Sequence, residues 1–238
     1  MESGLLLTPD FSAFSKKVVP FLHVTTHLDG RPNEGMLQEK GGTGFPTLMF
    51  LDAEGEILGT PGGRSAEAFE KTLASLMNIK NLEERIAAGE KGLKAELFFA
   101  ELDMGKYSLA EVKAKSSEFK KLTKEQKDLL AQHVLNLGVK EILDGMGRDE
   151  GALAKAGEKL LAIKAEGSMP TGDALGGFWF VLMNYSEAQS DADLFAEALA
   201  ALKVFYADEP RAMEFLNKKD EVLKEMQDAG EEVVVEGR

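Results

Sequence analysis

The stretch from residue 41 to 63, Gly-Gly-Thr-Gly-Phe-Pro-Thr-Leu-Met-Phe-Leu-Asp-Ala-Glu-Gly-Glu-Ile-Leu-Gly-Thr-Pro-Gly-Gly, leaves the backbone few choices. Pro46 introduces an unbroken apolar run at residues 48–51. A proline is tolerated at the start of a strand because its missing N–H falls outside the ladder. Asp52-Ala53-Glu54-Gly55 carries turn chemistry, with Gly55 free to take a positive φ. Residues 56–58 return as a short second strand, and Pro61-Gly62-Gly63 stops it. The stretch predicts a β-hairpin.

The flanks read as follows. Thr8 caps a helix with Pro9 at its first position and Asp10 in its first turn. Phe11, Phe14 and Val18 recur at helical spacing until Pro20 ends the run. Residues 21–26, Phe-Leu-His-Val-Thr-Thr, have the composition of a short buried strand. Residues 29–33 form a loop, and residues 34–40 a short helix released by Gly41 and Gly42. Ser65 caps a further helix to about Met77, which buries Ala66, Phe69, Leu73 and Leu76.

This order of helix, strand, helix, strand, strand and helix, with Gly44-Phe45-Pro46-Thr47 leading into the hairpin, resembles the thioredoxin fold from its first active-site helix onward. The resemblance covers residues 1–79 and implies an α/β thioredoxin-like domain in which Phe45–Pro46 is cis. It also implies a site: thioredoxin-like proteins hold an extended peptide beside that proline by strand addition, so Phe45, Pro46 and Thr47 would line it. The first strand of such a sheet has little room. Residues 4–7 fill its place or the sheet is incomplete, as in a chain that begins just downstream of a Cys-x-x-Cys motif. The upstream coding sequence would show that motif in frame.

From residue 80 the periodicity is helical throughout, which predicts an all-α domain of helical hairpins over residues 80–238. Ser108 with Glu111, and Thr123 with Gln126, match the capping box, in which side chains at each end satisfy a free backbone N–H. Asp149, Thr171, Ser190 and Asp208 are further candidate starts, and Gly105, Gly147, Gly167 and Gly230 candidate stops. Met104-Gly105-Lys106 is echoed by Met146-Gly147-Arg148, and the loop at residues 189–191 follows at a similar interval. The pattern resembles tetratricopeptide-type hairpins, with a longer period and without the full signature. It reads as three helix pairs and a terminal helix. Residues 231–235 after Gly230 suit either an edge strand or a frayed tail.

Chemistry-bearing residues are few. A formal charge of −13 argues against nucleic acid, which needs clustered Lys and Arg. No run of residues is apolar enough for a membrane helix, and residues 1–7 lack the basic start and long apolar region of a signal peptide. His23 and His27 would stand about 13 Å apart on one strand face, too far to share a metal. His133 reads as a packed or solvent-facing helix residue. Gly41, Gly42 and Gly44 precede a strand rather than a helix, so they form no phosphate loop. The apolar cluster Phe178-Trp179-Phe180-Val181-Leu182-Met183 fits a core helix first and a peptide groove second.

The leading reading is a non-catalytic thioredoxin-like binding module with a helical interaction domain, taking a protein or peptide partner and no cofactor. The alternative is a thiol-disulfide oxidoreductase whose Cys-x-x-Cys lies upstream. A glutathione-transferase-like enzyme is a third, set back because Gly62-Gly63-Arg64-Ser65 stands where that family has an acidic-Ser pair. The compartment is not read from the sequence. The chain contains no cysteine, and disulfide reduction begins with thiolate attack. In an insulin-reduction assay this chain is therefore expected to give the buffer rate; turnover above buffer would overturn that expectation.

Overall fold

In the computed structural model, which describes residues 5–24, 33–42, 44–147 and 150–236, the first helix forms as its cap dictates. The Thr8 hydroxyl accepts the Phe11 N–H at 3.2 Å, and α1 (Pro9–Phe14) follows with its proline at the first position. A 3-10 turn, Ser15–Lys17, ends it. A one-turn helix α2 (Met36–Glu39) precedes the hairpin of β1 (Phe50–Leu51) and β2 (Ile57–Gly59). Eight further helices follow: α3 (Ala66–Ala87), α4 (Lys94–Asp103), α5 (Leu109–Ser116), α6 (Lys124–Asp144), α7 (Glu150–Ala165), α8 (Asp173–Gln189), α9 (Ala192–Phe205) and α10 (Pro210–Glu236). They divide between two compact units, Met1–Tyr107 and Ser108–Arg238. The change from mixed to helical patterning near residue 79 falls inside α3.

The first unit is not an α/β thioredoxin-like domain. Among the described residues its sheet has two strands, antiparallel neighbours of each other and of nothing else. The strand expected over residues 21–26 does not form where the chain is described. Residues 21–24 take no regular structure, with Phe21, Leu22 and Val24 exposed to 69%, 75% and 65%; Thr25 and Thr26 lie outside the described residues. Of the candidate first strand, residues 4–7, the described residues 5–7 form a 3-10 turn. β-propensity reports how well a side chain fits a pleated, half-buried surface, and here no third strand supplies one.

The hairpin itself forms as its turn residues require. Asp52 Oδ1 accepts the N–H groups of Glu54 at 3.0 Å and Glu56 at 2.8 Å, and Gly55 sits at φ +84°. Phe50 pairs with Gly59 and Leu51 with Ile57, which leaves Leu58 as a bulge. Phe50 packs edge-on to Phe14 (6.2 Å between centroids), and Phe14 lies 5.5 Å from Phe69 of α3. Below them α3 buries Leu76, Ile79 and Leu82, and α4 buries Phe98, Phe99 and Leu102. The helix from Ser65 runs past Met77 to Ala87 because its apolar spacing continues through Ile79 and Leu82.

The second unit is all-helical among its described residues, as its periodicity predicts. Both capping boxes form: Ser108 with Glu111, and Thr123 with Gln126. Some boundaries shift. α8 starts after Gly172 rather than at Thr171. Ser190, at φ +57°, closes α8, and the Asp191 carboxylate caps α9 by accepting the Leu194 N–H at 3.0 Å. Gly145, not Gly147, caps α6, while Asp149 lies outside the described residues. α10 continues through Gly230 to Glu236, so residues 231–235 are neither strand nor loop. A glycine inside a helix costs only about 1 kcal/mol, which the rest of a long helix absorbs.

The core of this unit is built around α8. Phe178, Trp179, Val181, Leu182 and Met183 are buried against Leu160 of α7, Phe195, Leu199 and Leu202 of α9, and Leu216 of α10. Close approach depends on glycines. A Cβ on Gly157 would fall 2.2 Å from the Tyr185 ring and 2.8 Å from Tyr185 Cβ. Gly138, within α6, faces open space. Two substitutions therefore have opposite signs. Gly138→Ala is expected to stabilise the protein by up to about 1 kcal/mol through helix propensity. Gly157→Ala adds an overpacking cost of about 1–3 kcal/mol that outweighs the same gain. Denaturant midpoints of the two variants check both signs.

The Ser108 box also carries a pH signature. The Ser108 N–H, then its hydroxyl, hold the Glu111 carboxylate below its ordinary value. The folded group thus has the lower pKa. Its contribution is complete above the unfolded value, near 4.3, and is lost as pH falls through the depressed folded one. The protection of the Ser108 amide, its intrinsic exchange rate at each pH divided by the observed one, is expected to fall over that acidic window in the wild type. In Glu111→Gln the response should be flat, because a Gln keeps the bond without titrating, as Gln126 does at the Thr123 N–H.

Candidate functional site

The chain enters and leaves the hairpin side by side. Residues 44–48 lead into β1, and residues 60–64 lead from β2 to the Ser65 cap of α3. Between them lies an open cleft of about 270 Å³ lined by Pro46, Leu48, Pro61, Gly62, Gly63 and Arg64. The exit side is tied down from below: Gly62 N–H donates to Thr72 Oγ1 at 3.4 Å, while the same hydroxyl donates to the Ala68 carbonyl at 2.9 Å. Ser65 Oγ accepts the Ala68 N–H at 3.1 Å and fixes where α3 begins.

On the entry side Phe45–Pro46 is cis, as the Gly-Phe-Pro-Thr sequence leads one to expect. The Thr47 hydroxyl donates to the Gly44 carbonyl at 2.6 Å and closes a tight local turn. Phe45 is 72% exposed. Of the three residues marked in the sequence, Pro46 lines the cleft, whereas Phe45 and Thr47 flank it in the chain without lining it. Sequence reasoning missed Leu48 and the whole opposite wall. The signal was present, because a hairpin that closes on Asp52–Gly55 must return Pro61-Gly62-Gly63 toward Pro46.

Chemically the cleft offers two proline rings, a leucine side chain, glycine backbone and one guanidinium. Arg64 is the only charged residue lining it and pairs with no acid among the described residues. The carboxylates held below their ordinary values lie elsewhere: Glu90 through its pair with Arg85, Glu111 through Ser108, and Glu125 through its own N–H and Thr123. Each belongs to a helix end.

The other marked residues settle as follows. His27 lies outside the described residues, and no cluster of three potential metal ligands occurs among those described. His133 sits within α6. In the aromatic run on α8, Phe178 and Trp179 are buried in the core, and Phe180, 44% exposed, packs against Phe215. No helix among the described residues is long and apolar enough to cross a membrane. In comparisons with known proteins, no family model, no curated protein and no solved structure matches the chain.

Phe45 and Arg64 are exposed, so neither is expected to support the fold. Phe45→Ala and Arg64→Ala should each stay within about 0.5 kcal/mol of wild type in chemical denaturation, the usual range for surface positions. A larger loss in either would assign that side chain to packing instead.

Proposed function

We propose that the chain acts by binding, holding an extended peptide segment of a partner protein in the cleft between the two sides of the hairpin. The observation that carries this reading is the pairing of an exposed aromatic, Phe45, with an open cleft that has Pro46 and Leu48 on one side and Pro61, Gly62, Gly63 and Arg64 on the other. A large aromatic left in solvent beside such a cleft is the type of residue that anchors interfaces. Arg64 at the rim gives an acidic residue of the segment a partner worth under about 1 kcal/mol at an exposed position. This reading needs no third strand and no thiol.

The test is selection of a random peptide library on the immobilised full chain, followed by titration of the enriched peptides. Peptides rich in apolar residues are expected to bind and to perturb backbone resonances at Leu48, Gly62 and Gly63. Phe45→Ala should weaken them about tenfold or more, the scale of a truncated anchor. Arg64→Ala should weaken them less. Failure to enrich any peptide, or binding that ignores Phe45→Ala and leaves the cleft resonances unmoved, would refute the reading.

A further inference from the structure

We draw no further inference here: the strongest candidate, the exposed apolar surface patch of the first unit at Val19, Phe21, Leu22 and Val24, is an unpartnered face, and nothing in the structure shows what covers it.

Discussion

A hairpin with strands of two and three residues has almost nothing of its own to keep it folded. Two strands alone are marginal in water, since too little apolar surface leaves solvent to offset the ordering of the chain. What holds this one is the contact between Phe50 and Phe14, and through Phe14 the link to Phe69 on α3. On the other strand Gly59 lets the backbone come close enough to touch the Met104 and Leu76 side chains, where a Cβ would meet Met104 at 2.9 Å. The candidate site inherits its shape from this packing. One wall hangs from β1, the other is pinned by Gly62 to Thr72, and the distance between them is set by how α1 and α3 grip the hairpin.

The helical unit meets the same requirement by another route. Its backbone hydrogen bonds are local, so cohesion has to come from side chains, and α8 supplies most of it by burying nearly its full circumference. A helix so enclosed needs small residues where its neighbours cross. Gly176 meets Phe205 and Tyr206, Gly177 meets Leu143, and Gly157 of α7 makes room for Tyr185. Ser186, a hydroxyl sealed in that core, donates to the Met183 carbonyl at 2.9 Å, which offsets its desolvation. Leading into α8, Asn136 takes the Thr171 N–H at 2.9 Å and Gln132 donates to the Met169 carbonyl at 3.1 Å. These two bonds fix the connection from α7.

Features set by neighbouring residues were legible in the sequence. The Thr8 cap, both capping boxes, the positive φ at Gly55 and the apolar face of α3 all rest on contacts within a few positions along the chain. The sheet was not legible in the same way. Residues 21–24 have strand composition, yet a strand exists only when a second segment, distant in sequence, presents its edge. Composition cannot supply that second segment. Gly230 reads as a stop in the sequence, yet α10 runs through it to Glu236.

The site divides along the same line. Phe45, Pro46 and Thr47 stand out because their chemistry is unusual within four residues, and the structure does put an exposed ring and a cis peptide bond there. The facing wall reads in the sequence only as punctuation, since Pro-Gly-Gly after a strand signals its end. A cleft, however, is a relation between two segments, and Pro46 and Pro61 are fifteen positions apart. They become neighbours because Asp52 gathers the N–H groups of Glu54 and Glu56 and turns the chain back on itself. Asp52 thus takes part in forming the cleft without lining any of it.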